Sequence, residues 1–100
     1  MSVFEDLSRC TGFDWDAGNY LKNLEKHDVA AAGFEQVFFN RPLVAAPDEP
    51  HSKEERRFYA LGRTDAGRLL FVVFALRKDL VRVISARGMN RKERKVYLAP

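Results

Sequence analysis

The chain has 100 residues, of which 46% are hydrophobic and 12% aromatic, and its formal net charge is +3. This length predicts one domain over residues 1–100, and the apolar content is too high for a disordered chain. The single cysteine, Cys10, excludes an internal disulfide and a cysteine-based metal cluster, and it is typical of a reducing, cytoplasmic location. No apolar run approaches the roughly 20 residues of a membrane span, and the N-terminus does not have the pattern of a signal peptide.

The charge is unevenly distributed along the chain. Residues 77–100 contain eight basic and two acidic residues, which gives a net charge of +6, whereas residues 1–76 have a net charge of −3. A basic end of this kind is typical of a surface that binds a polyanion or an acidic partner. A solvated basic face without a partner is the alternative that the charge alone leaves open.

The N-terminal part of the sequence predicts three helices separated by short breaks. Ser2 and Glu5 form a capping-box pattern that begins the first helix. The second and third have apolar stripes at helical spacing, and the third should end before Pro42, because the residue before a proline is pushed out of the helical region. The run Phe13–Asp16 reads as an extended segment. We place the helices at about residues 3–10, 17–27 and 29–39.

The rest of the sequence predicts a β meander followed by a short helix. Residues 68–76 are apolar on both faces, which is typical of a central strand, and Gly67 should adopt the left-handed conformation of a hairpin turn. Asn90 and Glu93 form a second capping-type pattern, which begins the last helix. Residues 56–63 alternate, with Phe58, Ala60 and Gly62 on one face and Arg57, Tyr59, Leu61 and Arg63 on the other. The strands fall at about 43–46, 56–63, 68–76 and 80–86. This order predicts an α+β fold, with N-terminal helices packed on a four-stranded antiparallel β meander and a short C-terminal helix.

Three arginines lie in or next to the predicted strands. Arg63 and Arg87 each end a strand, and Arg82 lies inside one. Strand alternation places Arg82 and Arg87 on opposite faces unless a β-bulge intervenes near residues 85–87. The planar, always-charged arginine side chain suits a phosphate group. The alternative is that each arginine covers apolar neighbours or pairs with a glutamate such as Glu93.

Two histidines offer no metal-binding pattern. His27 and His51 are far apart in the sequence, and neither has a second ligand three or four residues away. His27 follows Lys26 at the end of the predicted second helix. Taken alone, such a histidine is usually a packed or capping residue, and such a lysine is usually solvated.

Three stretches of the sequence together resemble the BrnT family of toxins of type II toxin–antitoxin systems. They are "WDAGNYLKNLEKHDV" (15–29), "GRTDAGRLLFVVF" (62–74) and "RVISARGMNRKERKVY" (82–97), and the resemblance extends over residues 13–97 in order. It implies a RelE-like fold and a ribonuclease that needs no metal or other cofactor and halts translation. It also implies an RNA substrate and a BrnA-like antitoxin, with operator DNA contacted only through the toxin–antitoxin complex and no membrane partner.

Two positions depart from the family pattern. Asn19 stands where the family has a lysine, and Asp28 stands where it has a glycine. Aspartate tolerates a left-handed turn better than most residues, so we expect the turn to survive. The missing lysine removes one phosphate contact. It leaves open the alternative of a non-enzymatic module that binds nucleic acid or the antitoxin (a relic of a toxin). A domain that binds only proteins is a third interpretation.

The resemblance implies a role for each matching residue. His27 would transfer a proton, Lys26 and Arg63 would hold the phosphate, and Arg82 or Arg87 would stabilise the developing charge. Glu93 is expected to cap its helix and orient Arg87. Tyr97 could instead pack the last helix onto the sheet together with Val96, and Trp15 could be a core anchor. We therefore predict that the catalytic residues are Lys26, His27, Arg63, Arg82 and Arg87, and that Trp15, Lys22, Asn23 and Tyr97 bind RNA.

Overall fold

The computed structural model describes residues 7–15, 31–48, 56–77 and 79–99. Leu7 and Ser8 are helical, and the amide of Cys10 closes that turn by donating to the carbonyl of Leu7 (3.0 Å). Five strands and two helices follow within these ranges. They are β1 (Gly12–Trp15), α1 (Ala31–Phe39), β2 (Val44–Pro47), β3 (Arg57–Arg63), β4 (Leu69–Arg77), β5 (Leu80–Gly88) and α2 (Arg91–Leu98).

The five strands form one mixed sheet in the order β1-β5-β4-β3-β2. Strands β2 to β5 pair antiparallel, whereas β1 pairs parallel with β5. Strand β4 lies in the middle, which confirms the prediction of a central strand at residues 68–76. Gly67 has a φ of 87° in the turn between β3 and β4, as the hairpin pattern predicted.

The predicted four-stranded antiparallel meander is wrong in the number of strands and in the type of sheet. Residues 12–15 form a fifth strand, whose partner is the far end of the chain, with Gly12 beside Leu80 and Trp15 beside Val83. Four residues are too few to show an alternating pattern of apolar and polar residues, and the partner strand is distant in the sequence. The sequence therefore predicted only an extended segment. The N-terminal part of the chain therefore contributes a strand to the sheet and is not a purely helical layer.

The predicted helices meet different outcomes. The third is confirmed as α1, which ends at Phe39, just before the Asn40–Pro42 segment. The second, at about 17–27, and most of the first, at about 3–10, lie outside the described residues. The last helix is confirmed as α2, and its start at Asn90 has both hydrogen bonds of a capping box. No helix among the described residues is long and apolar enough to span a membrane.

The main hydrophobic core lies between α1 and one face of the sheet, which we call the core face. Val37 of α1 is fully buried there, and the ring of Phe38 meets that of Phe74 edge-on at 5.1 Å. The strands contribute alternate residues, as the pattern of residues 56–63 predicted for Phe58, Ala60 and Gly62. The buried members of this core are Val37, Phe58, Ala60, Leu70, Val72, Phe74, Val81, Val83 and Ala86.

A smaller cluster lies on the other face of the sheet. Leu61, Met89 and Tyr97 are buried in it, and Leu69 and Phe71 pack against them. Tyr97 belongs to α2, so this cluster is where the last helix rests on the sheet. The helix occupies the end of this face near the β3–β4 hairpin, because Leu61 and Leu69 lie beside that turn.

Candidate nucleic-acid interface

A β-bulge in β5 brings Arg82 and Arg87 to the same face of the sheet. Val73 of β4 pairs with Ser85, but the next residue, Phe74, pairs with Val83, so Ile84 is an extra residue in β5. One extra residue reverses the alternation of side chains beyond it. This is the bulge that the sequence required for the two arginines to share a face, one residue earlier than the expected 85–87.

Four arginines share the face opposite the core face. Directly paired residues of neighbouring strands point to the same side of a sheet. The register aligns Arg57 of β3, Ala75 of β4 and Arg82 of β5, and it aligns Leu61, Phe71 and Arg87 in the same way. Arg63 lies two residues beyond Leu61 and so has the same orientation. We call this surface the arginine face, and its arginines are Arg57, Arg63, Arg82 and Arg87.

Arg63 is exposed, and its backbone is held from α1. The side chain of Asn40, just after α1, donates to the carbonyl of Arg63 (2.9 Å) and to the carboxylate of Asp65 (3.0 Å). The amide of Asp65 donates to the side-chain carbonyl of Gln36 (2.9 Å). The hairpin that carries Arg63 is thus fixed to the end of α1, so an exposed cation projects from a rigid support.

Arg87 is bound to Glu93 by a bidentate ion pair. Its two terminal nitrogens each lie 2.8 Å from a carboxylate oxygen of Glu93, and one of them also donates to the carbonyl of Gly88 (3.1 Å). The guanidinium lies 4.4 Å from the centre of the Phe71 ring. The hydrogen bonds raise the pKa of Arg87 and lower the pKa of Glu93. The prediction that Glu93 orients Arg87 is confirmed, and the charge of Arg87 is largely balanced.

Glu93 also caps α2, so one carboxylate connects the helix to the sheet. It accepts a hydrogen bond from the amide of Asn90 (2.9 Å), and the side chain of Asn90 accepts one from the amide of Glu93 (2.8 Å). This reciprocal pair satisfies two amides at the helix start. The position of α2 and the orientation of Arg87 are therefore coupled.

This coupling predicts a pH-dependent contribution to stability. The pKa of Glu93 is lowered from its ordinary value of 4.5, mainly because Arg87 donates to the carboxylate. A carboxyl with a lowered folded-state pKa stabilises the fold above its unfolded pKa, and the contribution disappears as the pH falls through the folded pKa. We expect Glu93→Gln to lower the free energy of unfolding at neutral pH by about 1 kcal/mol, a small value because Arg87 is 37% exposed and the pair is partly screened.

Urea denaturation of wild type and Glu93→Gln at neutral pH and in acid would measure this difference. The difference in stability should begin to shrink below the ordinary pKa of a glutamate and disappear only below the lowered pKa of Glu93. A difference that stays the same from neutral pH into acid would show that the Glu93 charge does not contribute.

Tyr97 is a packing residue. Its side chain is 6% exposed, and its hydroxyl donates to the carbonyl of Pro42 (2.6 Å). Burial raises the pKa of the phenol, and the nearby positive charge of Arg63 partly opposes that effect. A ring this buried has little surface for the predicted contact of Tyr97 with RNA. The alternative of packing describes it, although Val96, expected to pack beside it, is 59% exposed.

Tyr97→Phe tests this structural role. The change removes the hydrogen bond to Pro42 and keeps the ring, so we expect the free energy of unfolding to fall by about 1 kcal/mol. Activity on RNA, measured well below the melting temperature, should stay close to wild type. A large loss of activity in a stably folded Tyr97→Phe protein would instead show that the hydroxyl takes part in the reaction.

The other predicted site residues lie in the N-terminal part of the chain. Lys22, Asn23, Lys26 and His27 lie outside the described residues. Trp15 is the last residue of β1, and its backbone pairs with that of Val83. Among the described residues, no group of three or more His, Cys, Asp or Glu side chains is placed to hold a metal ion.

Sequence reasoning assigned no role to two residues of the arginine face. Arg57 and Tyr59 had been placed on the same face as Arg63 by alternation, but nothing local showed what lay beside them. Tyr59 stacks on Phe71, with ring centres 5.9 Å apart and planes inclined by 17°. Their shared surface depends on the register between β3 and β4, which the sequence does not show.

The fold resembles that of a solved ribonuclease toxin. The crystal structure of the Brucella abortus ribonuclease toxin, BrnT, superposes with a TM-score of 0.63 and 23% sequence identity, covering 81% of this chain and 99% of that chain. The family model for the ribonuclease toxin BrnT of type II toxin–antitoxin systems matches residues 15–93. The chain belongs to this family, which implies an antitoxin as a partner. A comparison with curated proteins finds no significant match.

Proposed function

We propose that this protein is the toxin of a type II toxin–antitoxin system and acts in the cytoplasm as a metal-independent endoribonuclease. It would cleave RNA, inhibit translation and be neutralised by a BrnA-like antitoxin. The observation that carries the proposal is the bulge at Ile84, which places Arg82 on the same sheet face as Arg63. Family membership supports the ribonuclease class, and this face supplies a surface suited to a phosphate backbone.

The proposed reaction is attack by a ribose 2′-hydroxyl on the adjacent phosphate. The oxygen–phosphorus bond to the 5′-oxygen of the next nucleotide breaks, leaving a 2′,3′-cyclic phosphate and a 5′-hydroxyl. The protein has to accept the proton of the 2′-hydroxyl, stabilise the additional negative charge and supply a proton to the leaving oxygen. Each of these tasks can be performed by side chains that transfer protons or donate hydrogen bonds.

Arg63 is proposed to bind the reacting phosphate. Arg63 is exposed, and the side chain of Asn40 holds its backbone carbonyl. The cation is therefore positioned before the substrate arrives.

Arg82 aligns through Ala75 with Arg57, six residues from Arg63 along β3, so the Cα atoms of Arg63 and Arg82 lie about 22 Å apart. Two arginine side chains do not reach one phosphate over that distance. The predicted role of Arg82 at the reacting phosphate therefore does not fit, and Arg82 is proposed to hold a phosphate further along the RNA. Arg87 contributes less charge, because Glu93 balances it. Leu69 and Phe71 of β4 lie between Arg63 and Arg87 and pack against the cluster on which α2 rests, so no nucleotide is proposed between these two arginines.

His27 is proposed to transfer protons, with Lys26 as a second phosphate contact. An imidazole has an ordinary pKa of about 6.5, so it can accept and return a proton near neutral pH. Trp15, Lys22 and Asn23 are proposed to contact the RNA beside the reacting phosphate. The assignment of Trp15, Asn23, Lys26 and His27 rests on the family pattern, and that of Lys22 rests on its place beside Lys26 on the predicted second helix.

The antitoxin is proposed to cover the arginine face. A cationic surface that attracts phosphates also attracts carboxylates, so an acidic segment of a BrnA-like protein would compete with RNA for the same arginines. Operator DNA would then be bound by the toxin–antitoxin complex through the antitoxin, because the toxin's cationic face is occupied.

Incubation of the purified protein with single-stranded RNA in the presence of EDTA tests the proposal. We expect cleavage that leaves 2′,3′-cyclic phosphate ends and that stops when a BrnA-like antitoxin is added. Cleavage that requires an added divalent cation would contradict metal independence. Binding without cleavage would identify a non-enzymatic nucleic-acid module. Negligible binding even at low salt, where phosphate contacts are strongest, would identify a domain that binds only proteins.

A further inference from the structure

A row of three stacked side chains crosses the arginine face. Tyr59 of β3 stacks on Phe71 of β4 with ring centres 5.9 Å apart, and the guanidinium of Arg87 of β5 lies 4.4 Å from the centre of the Phe71 ring. Both rings are partly buried, so each also keeps some exposed surface. The row runs across the strands, from an ion-paired arginine to a tyrosine next to the edge strand β2.

The Arg87 end of this row is fixed by side-chain hydrogen bonds. Two hydrogen bonds to Glu93 and one to the carbonyl of Gly88 hold the guanidinium of Arg87 over Phe71. Phe71 also packs against the cluster that contains Leu61. The ring of Tyr59 therefore rests on a support that is already ordered, and an ordered aromatic surface loses little entropy when a flat ligand stacks on it.

At the Tyr59 end of the row, the neighbouring side chain on the edge strand is small. The residue paired with Tyr59 on the edge strand is Ala46, whose side chain is a single methyl group. Directly paired side chains stand beside each other on the same face, so the group beside the Tyr59 ring is too small to cover it. Two positions along β3 on the same face, Arg57 supplies a positive charge.

We propose that Tyr59 is a stacking subsite for an unpaired base of the RNA substrate. This inference rests on the proposed function and deepens it, because it names how the substrate is held. A supported aromatic ring flanked by arginines is the combination that single-stranded nucleic-acid sites use, with bases on the rings and phosphates on the cations. A base inside a duplex has no accessible face, so the subsite selects single-stranded RNA.

The position of Tyr59 indicates which base it holds. Tyr59 and Arg63 lie on the same strand and face with about 13 Å between their Cα atoms. If Arg63 binds the reacting phosphate, the base on Tyr59 belongs to a neighbouring nucleotide and not to a nucleotide at the bond that is cleaved. The subsite would therefore influence affinity and the choice of cleavage position more than the chemical step.

Binding to a non-cleavable RNA tests the subsite separately from catalysis. The probe is a short single-stranded oligonucleotide that contains 2-aminopurine and lacks the 2′-hydroxyl groups, since 2-aminopurine loses fluorescence when it stacks. We expect Tyr59→Leu to weaken binding about 5- to 150-fold and to abolish the quenching. Tyr59→Phe, which keeps the ring, should behave like wild type. Wild-type affinity and quenching in a folded Tyr59→Leu protein would overturn the inference.

A second variant keeps the inference testable if Tyr59→Leu does not fold. Ala46→Leu leaves Tyr59 unchanged and places a larger side chain beside its ring, so it should also weaken binding and reduce quenching. Normal binding by a folded Ala46→Leu protein would count against a base at this position.

The same experiments separate this inference from the proposed function. If wild type and Tyr59→Leu cleave ordinary RNA equally well and bind the probe with equal affinity, the ribonuclease proposal is supported and the subsite is contradicted. If the quenching depends on Tyr59 but the protein cleaves no RNA, the subsite is supported and the ribonuclease proposal is contradicted. No binding of the probe by wild type at low salt would remove both.

Discussion

Arg63→Ala is expected to reduce the rate of RNA cleavage by about 10²–10³-fold, which is the usual cost of losing one preorganised donor. The side chain is exposed, so its removal should leave the free energy of unfolding within about 0.5 kcal/mol of wild type. The large effect follows from the rigid hairpin, because Asn40 holds the carbonyl of Arg63 and no reorganisation is needed when the phosphate arrives. Single-turnover cleavage at saturating protein measures the rate, and thermal unfolding measures the fold.

Arg56→Ala is the matched control for this prediction. Arg56 is exposed and carries the same charge, but its guanidinium lies 5.2 Å from the ring of Phe58, a residue of the core face. Its removal should change cleavage only slightly. Equal losses in Arg56→Ala and Arg63→Ala would mean that overall charge matters and that the position of Arg63 does not.

Gly62→Ala is expected to destabilise the protein by about 1–3 kcal/mol, the usual cost of adding volume to a well-packed core. A Cβ at residue 62 would lie 2.5 Å from Cγ1 of Val37 and 3.3 Å from the carbonyl oxygen of Val37. Val37 is fully buried, so it has little room to move away. Helix α1 would have to shift from β3, and with it the contacts that hold the hairpin of Arg63.

Gly88→Ala is the control for the glycine change. An added Cβ at residue 88, in β5, meets no atom within 4 Å. Its effect on stability should therefore be small or slightly favourable, because alanine restricts the unfolded chain more than glycine does. Urea denaturation of both variants gives the comparison. Equal stability of Gly62→Ala and wild type would show that α1 does not need this close approach.

Local patterns were sufficient for the elements whose causes are local. The capping box at Asn90 and Glu93 depends on residues three apart, and the turn at Gly67 depends on one glycine, so both could be predicted. Strand β4 could be identified as central because apolar residues occupy both of its faces. The alternation along β3 correctly placed Arg63 opposite the core face.

Features that depend on distant partners could not be predicted in the same way. Strand β1 is defined by its parallel partner β5, which lies at the other end of the chain. The bulge at Ile84 is defined by how β5 matches β4, and it decides on which face Arg82 lies. The stacking of Tyr59 on Phe71 likewise depends on the register of β3 and β4, so no local pattern indicated a role for Tyr59.

The salt dependence of RNA binding decides whether the arginine face holds the phosphates. For a non-cleavable single-stranded RNA, the logarithm of the binding constant falls linearly with the logarithm of the salt concentration. The slope has a magnitude of about 0.7 for each phosphate contact. In the double variant Arg63→Ala/Arg82→Ala we expect this slope to fall by about 1.4 relative to wild type, whereas Arg56→Ala should leave it unchanged. An unchanged slope in the folded double variant, or an equal fall in Arg56→Ala, would show that RNA phosphates are bound elsewhere.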